Sequence, residues 1–441
     1  MPRGDFPSSR LAGIASACDL GGPPRAVSFT RHAGVRWADA APYSLATMPR
    51  ALFLAFLLSF TTLVSNAFAR FAYALVLPAM RSDLGWNWSQ SGLLNTWSSA
   101  GYLAGAVLAR LLVARLGNRR LYQAGIVLTA VAILATGMTR SFEMLALARF
   151  VAGAGGAAAF VCGAALSGNV MPERPAMSTT FITVYGCGAG LGMMFSGVLI
   201  PPMLDASVHA WQSVWMAMGW ASLLMAAAAV WASTQILEPG AAAGGARWEV
   251  LPVLPQLGGY LMFAVGYIGY MTFVIAWMRD NGASTSSVAK MWTVLGFATL
   301  VGPLMWRGPL QRWPGGRPMA AALGLLTIGA LIPLLRADFG WMLASALLFG
   351  AGMFSVPSSV TALVTRALPK PAWGSALATF TIVFGAGQVI GPVATGWLAD
   401  LTGSLRPGLA ASVAVLALGA LIALAQRDVA VRASPAAVRG G

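Results

Sequence analysis

The chain has 441 residues, of which 58% are hydrophobic and 9% charged, against roughly 25% charged in a soluble domain, so a water-soluble globule is excluded. The formal charge is +15, yet the basic residues fall in short breaks between apolar runs rather than on one polar face. That excludes a nucleic-acid binder and fits a membrane protein whose cytoplasmic side is basic. Cys18, Cys162 and Cys187 show no CxxC or Cys/His spacing, and the two histidines, His32 and His209, have no nucleophile at a motif spacing. No disulfide framework, metal site or cofactor is expected, and His209 near Asp205 is the one weak hint of an enzyme.

In chain order, residues 1–50 carry Arg3, Arg10, Arg25, Arg31, Arg36 and Arg50 among Pro, Ser and Gly, and read as a disordered cytoplasmic tail with no secretory core. Apolar runs long enough to cross about 30 Å of hydrocarbon follow. They span 52–79, 89–113, 121–139, 142–167, 177–203, 210–233, 254–278, 284–305, 318–336, 340–365, 373–398 and 404–425. The predicted fold is therefore an all-α integral membrane protein of twelve transmembrane helices. It divides into a six-helix bundle over 51–233, a cytoplasmic Gly/Ala/Pro-rich linker over 234–253, a second six-helix bundle over 254–425 and a cytoplasmic tail over 426–441. The run 186-GCGAGLG-192 matches 385-GAGQVIG-391 at an offset of 199, and Arg115 matches Arg312 at 197. Two such repeats are the pattern of a transporter with a central site.

At the end of the second span, 110-RLLVARLGNRR-120 resembles the loop motif of the major facilitator superfamily, through Arg115, Gly117, Arg119 and Arg120. The resemblance implies that these four take part in gating, while Ala114 stands where the family usually has Asp, a departure from its charge-paired gate. The stretch 149-RFVAGAG-155 is similar to the superfamily's Arg-x-x-x-Gly-x-Gly motif. Together, 69-ARFAYALVLPAM-80 and 266-GYIGYMTFV-274 resemble the YbfB/YjiJ branch. The resemblance implies secondary transport of a small solute by alternating access, and names no substrate.

All thirteen acids lie in tails, loops or helix ends, so the buried carboxylate that proton-coupled carriers commonly use is missing. The membrane does contain cations. Arg70 lies eight residues before Pro78, roughly 12 Å from that helix end at 1.5 Å per residue, too deep for an interfacial anchor. It should point inward, on a stripe with Asn66 and Tyr73 at i, i+4 and i+7. Lys290, a turn or two into its helix, is expected to snorkel; Arg149, near the external end of the fourth span, has room to snorkel there, and a structural role bonding carbonyls of neighbouring helices competes with substrate contact. Tyr267 and Tyr270 in the seventh span and Gln388 in the eleventh complete the candidate substrate-binding set of Asn66, Arg70, Tyr73, Arg149, Tyr267, Tyr270 and Gln388. Cations without acids favour an organic anion; the rival reading is a proton-coupled exporter of amphipathic or cationic compounds. The expected partners are a small-molecule substrate and membrane lipid, and the expected state is a monomer in a bacterial inner membrane.

The orientation follows from a charge count. Breaks after even-numbered spans hold eleven cations (Arg110, Arg115, Arg119, Arg120, Arg174, Arg247, Arg307, Arg312, Arg317, Arg366 and Lys370), and the opposite breaks hold five (Arg81, Arg140, Arg279, Arg336 and Arg406). Both termini are therefore expected in the cytoplasm. A fluorescent protein fused to the C-terminus should fluoresce and alkaline phosphatase fused there should be inactive; the reverse pair of results contradicts the assignment.

Overall fold

The computed structural model describes residues 47–207, 209–239, 248–336, 338–369 and 372–428. The expected tails over 1–46 and 429–441, the centre of the linker at 240–247, and Lys370 lie outside these residues. The described chain is helical, and eleven of its helices are long and apolar enough to cross a membrane. One of them, Trp88–Thr136, has 49 residues, about 73 Å at 1.5 Å per residue, more than twice the hydrocarbon thickness. It breaks at Gly117, whose backbone lies at φ 80°, ψ 163°. Counted as two crossings, it restores twelve.

We number these α1 (Met48–Leu84), α2 (88–116), α3 (118–136), α4 (Phe142–Gly168), α5 (Pro175–Leu204), α6 (Ala210–Thr234), α7 (Leu251–Asp280), α8 (Thr285–Arg312), α9 (Arg317–Leu335), α10 (Phe339–Ala367), α11 (Trp373–Thr402) and α12 (Leu405–Leu424). The helix of α1 starts at Thr47, so the expected tail over 1–50 gives up its last four residues to it. The short turns between α1 and α2, α3 and α4, α7 and α8, and α11 and α12 define one end of the molecule, the sparsely charged face; the opposite end is the basic face. Helix starts at the sparse face are set by short polar side chains. Asn87 and Gln90 form a reciprocal capping box on α2, and Ser141, Ser284 and Ser404 cap α4, α8 and α12, satisfying amide groups that begin a helix without a partner. Gly85 and Gly403 end α1 and α11 in left-handed backbone, which residues with a Cβ rarely adopt.

Large apolar side chains point outward as well as inward: Leu224 is 76% exposed and Trp220 62%, as expected of helices bathed in lipid. The two repeats predicted from glycine runs fall on α5 and α11, the fifth helix of each bundle. The bundles meet along α2 with α11, α5 with α8, and α1 with α7. Close approach of α2 and α11 depends on glycine: a Cβ on Gly92 would strike the Pro392 carbonyl, and one on Gly396 would strike that of Trp88.

α1 is not a uniform helix. Leu63–Phe71 is a buried π-helical segment, and the Ala72 amide donates to the Ala67 carbonyl five residues back at 2.7 Å. A π segment shifts the residues that follow it out of α-helical register, which bears directly on Arg70.

Gly117→Ala tests the turn between α2 and α3. Its φ and ψ are nearly exclusive to glycine, and a Cβ would sit 3.1 Å from Glu238 Oε1; the substitution should lower stability by about 1–3 kcal/mol. Thermal unfolding of the purified protein reads this out, and an unchanged midpoint contradicts it.

Candidate functional site

Arg70 lies in the π segment of α1 and is 5% exposed. Its Nη2 donates to Gln388 Oε1 on α11 at 2.8 Å, and its guanidinium lies 4.4 Å from the centroid of the Tyr102 ring on α2. Gln388 Nε2 in turn donates to the hydroxyl of Tyr267 on α7. Arg70, Tyr102, Gln388 and Tyr267 thus form one chain across the interface between bundles. Among the described residues no carboxylate pairs with Arg70. A cation at this depth costs at least about 3 kcal/mol on an insertion scale, which the ring face and the amide offset only in part.

The other sequence-predicted residues do not all join this chain. Asn66 is buried beside it in the π segment; its Nδ2 and the hydroxyl of Ser65 have no hydrogen-bond partner among the described residues. Tyr73 leaves the predicted stripe because the π turn rotates it: its hydroxyl donates to the Ser91 carbonyl at 2.8 Å. Its ring lies 5.2 Å from the Arg149 guanidinium, with Trp215 of α6 at 5.1 Å from the same group. Arg149 is fully buried, so it does not snorkel, and Nε, Nη1 and Nη2 have no hydrogen-bond partner among the described residues. It stands inside the first bundle, held by ring faces. Tyr270 is within the second bundle, where its hydroxyl meets Ser345 Oγ at 3.0 Å. Lys290 is exposed, with Nζ 5.7 Å from the Phe339 ring.

Of the four residues expected to take part in gating, Gly117 makes the turn itself, and Arg115 and Arg120 are exposed. Where Ala114 offers no carboxylate, Glu238, four residues beyond the end of α6, supplies one. Its Oε1 accepts from the Asn118 amide at 2.5 Å and both oxygens accept from the Arg119 amide at 3.3 Å, an anion at the start of α3. The Arg119 guanidinium donates to the Ile236 carbonyl. This cluster stays inside the first bundle.

The sparse face carries the bonds that close the two bundles on each other. Asp400 at the end of α11 accepts from the Trp88 and Ser89 amides, each at 2.8 Å, and from Ser89 Oγ at 2.5 Å. This places a carboxylate on the positive end of the α2 dipole. Asp205 accepts from Thr285 Oγ1 at 2.9 Å and pairs with Arg279 at 3.8 Å. Deeper, Asn95 Nδ2 donates to Thr272 Oγ1 at 2.7 Å. Sequence reasoning missed Tyr102, Asn95, Thr272 and Asp400; the isolated Asn95 in an apolar span was the one available signal. His209 meets Asp83 at 2.8 Å and Arg140 at 3.2 Å, not Asp205, so the hint of an acid and base pair dissolves into a structural ion cluster.

A cation shared between two helical bundles, one end clamped and two matched halves, is transporter architecture. The family model described as "Uncharacterised MFS-type transporter YbfB" matches residues 62–424. The chain belongs to this family of MFS-type transporters and is not an enzyme. It is 22% identical over 363 residues to the uncharacterized MFS-type transporter YttB of Bacillus subtilis (strain 168), covering 80% of this chain and 89% of that protein. Among solved structures, a bacterial homologue of the human lysosomal transporter Spinster, inward-facing and occupied, superposes with a TM-score of 0.65 at 16% identity, over 87% of this chain and 97% of that one. A D-xylose–proton symporter superposes with a TM-score of 0.68 at 13% identity, over 86% and 97%. These likenesses establish the fold.

Asp400→Ala removes the carboxylate from the start of α2. Loss of a helix cap costs typically about 1 kcal/mol, roughly a fivefold change in the ratio of closed to open sparse face. Spin labels at the exposed positions Met138 and Leu401, one per bundle, should gain a longer-distance population in the variant; an unchanged distance distribution contradicts the clamp.

Proposed function

We propose that this MFS-type transporter is a secondary active carrier of an organic anion, working by alternating access about the Arg70 chain. The observation that supports this reading is a guanidinium buried at the bundle interface whose partners are a neutral amide and a ring face. A carboxylate arriving there replaces Gln388 as the partner of Arg70, and charge pairing offsets a burial cost that each ion bears alone. The rival, proton-coupled export of amphipathic or cationic compounds, calls for a carboxylate within the membrane. Asp83, Asp205 and Asp400 instead lie at the sparse face, engaged in bonds there.

Alternating access fits the distribution of bonds. At the basic face, the bonds of Glu238, Arg50 with Gln235, and Arg366 with the Trp313 carbonyl all stay within one bundle. The carrier so read opens toward the basic face in this state, lies in a bacterial inner membrane with both termini cytoplasmic, and acts as a monomer, because one chain supplies both sides of the site.

A thermal-stabilisation screen of the purified protein over organic anions, cations and neutral solutes tests the reading. A ligand at a hundred times its Kd should add about 2.7 kcal/mol, and the stabilising compounds should be anions. Arg70→Ala should abolish their effect, and Arg70→Lys, which keeps the charge and loses the planar fork, should weaken it roughly tenfold. Stabilisation by cations alone, or anion binding that survives Arg70→Ala, overturns the proposal.

A further inference from the structure

The surroundings of Tyr267 are unusual within this protein. Aromatic pairs near the sparse face meet edge-on: Trp86 with Phe142 at 83° and Trp88 with Phe273 at 80°. Around Tyr267 the rings lie nearly parallel. Phe263 stacks on Tyr267 at 4.6 Å and 17°, Phe384 on Tyr267 at 5.9 Å and 10°, and Tyr260 on Phe384 at 5.1 Å and 19°. Phe380 closes the far end edge-on against Tyr260, at 63°. Tyr260, Phe263 and Tyr267 share one face of α7 by their i, i+3, i+7 spacing, and Phe384 stands one turn before Gln388 on α11. Of the four stacked rings, Phe384 alone is only partly buried.

Gln388 joins the two halves of this arrangement, since it accepts from Arg70 and donates to Tyr267. A cation from the first bundle and a set of parallel ring faces from the second therefore meet at one amide. We infer that the transported anion is an aromatic carboxylate, a planar ring bearing its acid close by. Its carboxylate takes the place of Gln388 on Arg70, and its ring lies along the partly open side of Phe384 as a further layer of the stack. An aliphatic acid satisfies the charge equally well but gains nothing from parallel faces, whereas offset stacking adds beyond area burial. Such a ligand touches both bundles at once, so its arrival changes the contacts that hold them together. This inference rests on the anion reading above and narrows it to a substrate class.

The test uses the full-length protein and four probes of similar size: benzoate, cyclohexanecarboxylate, benzamide and benzylamine. Half-effective concentrations for thermal stabilisation should be about two- to tenfold lower for benzoate than for cyclohexanecarboxylate, the range that ring stacking supplies, with benzamide and benzylamine inactive. Phe384→Tyr should keep that ratio. Phe384→Leu should bring it to about one, with the melting temperature of the unliganded variant showing that it folds. Equal potency of the two acids in the unaltered protein, or a ratio that survives Phe384→Leu, overturns the aromatic class and leaves the anion reading standing. Failure of both acids also overturns the class, and stabilisation by benzylamine in their place overturns the anion reading with it.

Discussion

A guanidinium deep within the helices, with no carboxylate to meet it among the described residues, is the constraint around which this protein is arranged. Arg70 is 5% exposed, so its guanidinium is closed off by side chains. The fold answers with a ring face on one side and an amide oxygen on another. Both are weaker partners than a carboxylate. Under the proposed function the site is stable enough to exist empty and unsatisfied enough to favour an anion, a balance that a buried internal salt bridge would remove.

The rest of the architecture serves that contact. Arg70 belongs to the first bundle and Gln388 to the second, so their bond is formed only when α1 and α11 are close. The glycines of α2 and α11 permit that approach, and Asp400 secures it at the sparse face by binding the exposed amides that start α2. Helix-end chemistry thus does at the rim what charge and aromatic contact do at mid-depth. Arg149 follows the same logic inside the first bundle, where Tyr73 and Trp215 offer ring faces in place of acids. The ion clusters of Asp83 and Glu238 stiffen that bundle at its two ends. Each bundle can then move as a unit.

Much of the fold was legible in the sequence because membrane spans announce themselves by length and composition alone. The twelve runs, the two halves and the depth of Arg70 needed no contacts to be seen. Gly117 was read as part of a motif and proved to be the break that divides 49 helical residues into two crossings. The π segment was not legible: nothing in LVSNAFARF marks a change of helical register, so the stripe of Asn66, Arg70 and Tyr73 assumed uniform α geometry and Tyr73 was misdirected. Tyr102 and Asp400 escaped notice for another reason, since their partners lie some hundreds of residues away or on another helix, and one sequence carries no record of such pairings. Arg149 illustrates the limit of depth arguments, for it lies near a helix end and yet is sealed among side chains.

The central claim is that Arg70 lacks a counter-charge which the ligand brings. Gln388→Glu supplies that charge within the protein, next to the guanidinium that Gln388 now contacts. The account predicts that the variant melts at a higher temperature than the unaltered protein in the absence of ligand and no longer responds to anions that stabilise the latter. A variant that still binds those anions with unchanged potency would contradict it.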